Sequence, residues 1–173
     1  MKKIFLFIVT IFFIIISNAN SEQKVSFIDM DRVISTSKPG TSLLKQLNDL
    51  NNKNLTFLKK EEEKFKKKEE KLISQKNIIS EDDFMNKVNI LKSEIKNYNQ
   101  NRKKIITDFN KMKVTSTNNL LNLINPILIK FSNDKQISII LNKKDLVMGK
   151  TELDITDQII EIVNTKVKSF MIK

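Results

Sequence analysis

The sequence predicts a mainly α chain with a small β body, from which a long antiparallel coiled-coil hairpin projects as an arm. Three observations carry this. Only two Gly and two Pro occur in 173 residues, and none lies between Thr41 and Asn125. Phe84, Val88, Leu91, Ile95, Tyr98, Arg102, Ile105, Phe109 and Met112 alternate steps of four and three, a heptad seam interrupted only by Arg102. Short β-branched runs then stand on either side of this helical region, at Lys24–Asp29 and Gln136–Leu141.

The elements follow in chain order. Lys2 and Lys3 precede Ile4–Ile16, apolar apart from Thr10, and Ser17-Asn18-Ala19 supplies small residues at a cleavage position. This layout predicts a signal peptide (1–19) cut after Ala19, since thirteen apolar residues fall short of the ~20 that span a bilayer. The expected mature chain, Asn20–Lys173, carries a net charge of +9. Lys24-Val25-Ser26-Phe27-Ile28-Asp29 reads as a strand and Asp31–Ser37 as one or two helical turns. Lys38-Pro39-Gly40 reads as a break, after which Thr41 or Ser42 would cap a first long helix to Lys76. Leu44, Leu47, Leu50, Leu55, Leu58, Phe65 and Leu72 recur along it at roughly helical spacing.

The pattern stops at Asn77–Ser80. Ser80-Glu81-Asp82-Asp83 then has the form of an N-cap with an acidic first turn. The second helix is expected from Glu81 to about Asn125, with a kink or restart at Pro126 and a continuation to Asn133. Two such helices joined by about four residues must run antiparallel, so 41–133 forms the arm. Gln136–Leu141 and Leu146-Val147-Met148, joined by Asn142–Asp145, are expected as a β-hairpin. Asp154-Ile155-Thr156-Asp157 begins a last helix, with Asp154 or Thr156 as cap and Ile155, Ile159, Ile162, Val163, Val167 and Phe170 as its apolar face. Residues 20–40 and 134–173 would together make the body. Three short strands are too few to close a stable sheet within one chain, so the economical solution is a homo-oligomer that shares one β core.

Composition excludes several functions. The chain has no Cys, His or Trp. Thiol chemistry, Cys-based metal sites and histidine acid–base catalysis are therefore closed to it. Neither phosphate-binding glycine motif occurs. No cofactor and no metal is expected, and the chain reads as a non-enzyme. Asp29 and Asp31 fit a strand end and helix cap better than a catalytic pair. The charge is concentrated in the arm, where 18 Lys and one Arg face 11 acids, a net of +8. Such a field draws acidic partners over about 8–10 Å. Only Arg32 and Arg102 could read base edges bidentately, so no specific nucleic-acid partner is expected. Any nucleic-acid binding would be nonspecific and salt-dependent.

The two ends, Lys24–Gly40 (KVSFIDMDRVISTSKPG) and Ile139–Ile160 (IILNKKDLVMGKTELDITDQII), resemble the Skp (OmpH-like) family of periplasmic chaperones, and the resemblance spans the mature chain. It implies a jellyfish-like homotrimer with a β body made by all three chains. Three arms would enclose a cavity that holds unfolded outer-membrane proteins in the periplasm, without ATP, before membrane insertion. Val25, Phe27, Ile28, Ile137, Ile139, Leu141, Leu146 and Val147 match the body strands. Asp154–Asp157 match the start of the last helix. Where the family often has Gly before its second strand, this chain has Asn133-Asp134-Lys135, with Asn able to take the left-handed turn. The resemblance also implies contact of basic residues with anionic lipid or lipopolysaccharide, assigned here to no particular lysine. Apolar arm residues left over by the seam, Phe57, Phe65, Ile73, Ile78 and Ile79, are the candidate client contacts. Helix-on-helix packing is the stronger reading for Phe65 and fits Ile78 and Ile79 at the tip as well as client contact does. The alternative function is a structural spacer or adaptor of the cell envelope, which would bind one folded partner instead of many unfolded ones.

Overall fold

The computed structural model describes residues 23–172. The signal peptide and its cleavage after Ala19 lie outside the described residues. The order is β1 (Lys24–Ile28), α1 (Met30–Thr36), α2 (Lys38–Gln75), α3 (Glu81–Lys135), β2 (Ile137–Asn142), two 3-10 turns (Lys143–Asp145 and Thr151–Leu153) and α4 (Thr156–Lys166).

The expected break at Lys38-Pro39-Gly40 is the first turn of α2. One residue, Ser37, separates α1 from α2. Its N–H donates to Val33 O (3.1 Å), closing α1, while its side chain accepts from Gly40 N–H (3.3 Å) and its carbonyl from Thr41 N–H (2.8 Å). Lys38 N–H donates to the Asn164 side chain at 2.6 Å, and Pro39 has no N–H to satisfy. All the free donors of the α2 start thus have partners. Gly40 has no positive φ; glycine is needed there for space. A Cβ would overlap the Ile34 carbonyl oxygen and lie 2.7 Å from its carbon. The local chemistry of Pro-Gly suggests a turn, but the close approach of α1 makes it helix.

α2 and α3 form the expected antiparallel hairpin, with the turn at residues 76–80. Ser80 caps α3, accepting from Asp83 N–H at 3.2 Å, and three acids fill the first turn. α3 runs through Pro126 without a break to Lys135. The left-handed residue that ends it is Gln136 (φ 56°), not Asn133.

β1 and β2 pair in parallel, with Val25 opposite Ile139 and Phe27 opposite Leu141. Parallel partners cannot be joined by a tight turn, and here the connection is the whole arm. The expected hairpin of β2 with Leu146–Met148 is absent. Lys143–Asp145 tightens into a 3-10 turn, and Leu146–Met148 pairs with no strand among the described residues. The other edge of β1 meets the start of α4, with Ile155 N–H donating to Phe27 O at 3.0 Å.

The core lies where the arm's root meets this sheet. Ile28, Val33, Leu43, Leu47, Leu120, Ile124, Phe131, Ile155, Ile159, Val163 and Phe170 form one buried cluster. Of the expected last-helix face, Val167 is the C-cap of α4 and Phe170 lies past its end.

Candidate functional site

The arm is built on the predicted seam. Phe84, Val88, Leu91, Ile95, Tyr98, Ile105, Phe109 and Met112 are all half-buried. They continue into buried Ser116, Leu120 and Ile124 at the root. Leu47 and Leu58 are buried in α2, whereas Leu44 and Leu55, counted with them by spacing, face solvent. They stand three before Leu47 and three before Leu58, on the outer side of the stripe.

At mid-arm the seam turns polar. The Phe65 and Tyr98 rings stack at 5.3 Å with a 54° tilt. The Tyr98 hydroxyl donates to Glu62 at 2.9 Å and lies 3.2 Å from Leu58 O. Arg102, the interruption in the heptads, reaches Glu62 at 3.6 Å. It therefore spans to α2 as a charge partner instead of filling a hole. Burial and the Glu62 hydrogen bond both push the Tyr98 phenol above its ordinary value. Toward the tip, Lys68 bridges to Glu94 at 2.5 Å and Lys87 to Gln75 at 3.2 Å. Between these pairs lies a shallow depression of about 290 Å³ floored by Leu72, Ile90 and Leu91 and rimmed by Lys71 and Lys87.

Three of the five candidate client contacts face solvent: Phe57 (45% exposed), Ile73 (64%) and Ile78 (80%). Ile79 is half-buried, and Phe65 belongs to the seam, packed on Tyr98. Sequence spacing passed over Met85, Ile90, Ile106 and Val114, which are also exposed along the arm. Their signal was present: each falls outside the four–three alternation of the seam.

The body divides differently. Phe27 and Ile28 are in this chain's own core, and Val25, Ile137 and Leu146 are half-buried. Ile139 (47% exposed) and Leu141 (40%) point outward from β2, and Val147 and Met148 are almost wholly exposed. Beside β2 a groove of about 440 Å³ runs between Leu121, Leu128 and Ile129 of α3 and Ile137, Ile140 and Leu141 of the strand. Among the described residues this edge of β2 is unpaired and flanked by the apolar groove.

The D-I-T-D run is a clasp, with a role for each residue. Asp154 accepts from Thr156 N–H at 2.9 Å, from the Thr156 hydroxyl, and from Lys143 at 3.2 Å. Of the two expected caps, Asp154 thus bonds the first helical N–H from one residue before the cap position, which Ile155 occupies, and Thr156 is the first residue of the helix. Burial raises the Asp154 carboxyl, but the hydrogen bonds from Thr156 and the Lys143 ammonium outweigh it and hold the group below its ordinary value. The buried Thr156 hydroxyl accepts from Asp29 N–H at 2.9 Å, and Asp157 pairs with Arg32 at 2.6 Å. The clasp ties α4 to β1 and α1.

No helix among the described residues is long and apolar enough to cross a membrane. No cluster of acidic side chains among them is arranged to hold a metal ion.

Comparison with known proteins agrees with this architecture. None of the curated proteins matches the sequence. A crystal structure of a Caulobacter crescentus CB15 protein, classed as an OmpH-like outer membrane chaperone, superposes with a TM-score of 0.73 at 14% identity. The match covers 90% of this chain and 92% of that one, and at this identity it is a likeness of fold. The family model described as "Outer membrane protein (OmpH-like)" matches residues 24–163. With seam, parallel β pair and D-I-T-D clasp all inside that span, the chain belongs to the OmpH-like outer membrane protein family.

Proposed function

We propose that the protein is an ATP-independent holdase that acts in the periplasm on unfolded outer-membrane proteins. The observation that carries this reading is the combination on the arm of exposed aliphatic and aromatic side chains with a net charge of +8. Unfolded chains aggregate through transiently exposed apolar groups. Scattered apolar contacts such as Phe57, Ile73 and Ile78 bind such groups weakly and many at a time. Release then needs only a stronger competitor, such as insertion into a membrane. The positive field holds polyanionic or acidic stretches near the arm and repels one arm from another.

Assembly through the body completes the reading. Ile139 and Leu141 on the open edge of β2 offer a surface for further copies of the chain, and the exposed Val147 adds apolar area to the body. A homotrimer is the form the family resemblance favours, with 20–40 and 134–173 as its body, 41–133 as its arms, and a cavity between the arms. Delivery by a signal peptide cut after Ala19 fits this location. Contact of the lysines with anionic lipid or lipopolysaccharide is compatible with the same field.

The test is light scattering of an unfolded β-barrel membrane protein diluted out of urea, with and without the mature protein and without ATP. Suppression at roughly one trimer per client, repeated across several clients, supports the holdase. Unchanged aggregation beside folded, oligomeric protein sinks it and leaves the envelope spacer or adaptor, which would bind one folded partner.

A further inference from the structure

The residues after α4 do more than end the chain. Val167–Ile172 leave the helix and run back across the root of the arm. Phe170 is buried in the same cluster as Leu43 and Leu47, Met171 faces solvent, and Ile172 is half-buried against that cluster. This in–out–in alternation is that of an extended segment laid on a surface.

Its backbone is gripped by two side chains one turn apart on α2. Gln46 Nε2 donates to Phe170 O at 2.8 Å, and Gln46 Oε1 accepts from Ile172 N–H at 3.2 Å. Ser42 Oγ donates to the same carbonyl at 3.2 Å. The Gln46 amide is itself held by Ser42, through its carbonyl and hydroxyl oxygens at 3.1 Å each. One turn before Ser42, Asn164 of α4 accepts from Lys38 N–H at 2.6 Å. Both the tail and Asn164 lie beyond the family match, which ends at Val163.

We infer that Val167–Ile172 is a strap that locks the root of the arm to the body and fixes the direction in which the arm leaves it. Bending is thereby displaced outward, past Leu47, the last α2 residue in the core cluster. A tail that merely filled a gap would need Phe170 alone. The paired donor and acceptor of Gln46 grip the backbone on both sides of Met171, which ties the tail's path to a single register. The strap holds the arm in this way whatever the arm binds.

Hydrogen exchange of the full-length protein, read by mass spectrometry, tests it with Gln46→Leu and Phe170→Ala. Gln46→Leu keeps the bulk and removes the grip. It should speed exchange in peptides covering residues 38–50 by about ten- to thirtyfold, the effect of two hydrogen bonds lost from a locally opening unit. Peptides covering the tip, residues 70–92, should be unchanged. Phe170→Ala should do the same more strongly. If it fails to fold, Gln46→Leu alone decides. Unchanged exchange at the root in Gln46→Leu overturns the strap, as does an increase of equal size at root and tip.

Discussion

Gly40→Ala sets two physical effects against each other. In an exposed helix the change gains up to ~1 kcal/mol, because Ala loses less conformational freedom. At this junction the added Cβ overlaps the Ile34 carbonyl oxygen and stands 2.7 Å from the Ile34 carbon and 2.9 Å from Ser37 Oγ. Two of those three atoms are backbone, so no rotamer change relieves the clash; α1 and α2 must part. Parting them strains the Ser37 cap and the 2.6 Å bond from Lys38 N–H to Asn164. Overpacking costs typically ~1–3 kcal/mol, and a backbone obstacle puts this site at or above the upper end. The net expectation is a loss of ~2 kcal/mol, and a midpoint lower by roughly 4–8 °C for a chain of this size. Thermal and urea unfolding followed by circular dichroism at one fixed protein concentration measure it, because self-association makes midpoints concentration-dependent. Gly149→Ala is the control. Its Cβ would meet the Phe27 ring at 2.7 Å, a side chain that can shift, so its loss should be smaller. A Gly40→Ala protein as stable as the parent, or more so, would show that propensity outweighs the helix contact and refute the reasoning.

Other outcomes follow from the same contacts. Tyr98 is the only tyrosine, so alkaline absorbance titration reports it alone, and its midpoint should lie above 10.0. Glu62→Gln should bring it back toward 10.0, and a midpoint unmoved by that change would remove Glu62 as a cause. Because the folded value is raised, the Tyr98 contribution is intact below the ordinary value and fades as pH rises through the folded one. Asp154 has the opposite sign: its folded value is lowered, so its contribution is present above the unfolded value of ~3.9 and is lost as pH falls through the folded value. Asp154→Ala should cost about 0.5–2 kcal/mol at pH 7 and flatten the acid limb of stability; parallel limbs for the two proteins would contradict the clasp. Ile139→Asp, on the open edge of β2, should shift sedimentation toward monomer, and an unchanged mass would move the assembly surface elsewhere.

The legible parts of the fold are those with a period. The alternation from Phe84 to Met112 placed every seam residue in α3, because a heptad pattern and a helix share one geometry. Ser80 was equally readable, since cap and acidic turn are local chemistry. The misreadings arise where tertiary contact overrides local preference. Pro39 and Gly40 suggest a turn to their neighbours in sequence, yet α1 lies close enough to require glycine in a helix. Leu146-Val147-Met148 has strand composition but no strand partner within the described chain. Gln136 takes the left-handed cap with no compositional signal to announce it. Among the candidate contacts, Phe57, Ile73 and Ile78 were identifiable as residues the seam leaves over. Phe65, whose spacing from Leu58 and Leu72 already favours helix packing, is stacked on Tyr98.

The parallel pairing of residues 24–28 with 137–142 has a consequence for the order of folding. A flexible connection of this length would carry a substantial closure entropy before any strand contact could repay it. The arm's own contacts nearest the turn are local in sequence and form early, whereas the sheet and its clasp are among the most distant contacts in the chain. Once the hairpin has zipped from residues 76–80 to its root, the two strand segments are already side by side, and closing the sheet requires only short flanking pieces to be ordered. The sheet cannot precede the synthesis of its last third, but the arm can largely do so. A substitution that weakens the seam far from the sheet, at Leu91 or Ile95, will therefore slow the formation of a sheet it never touches.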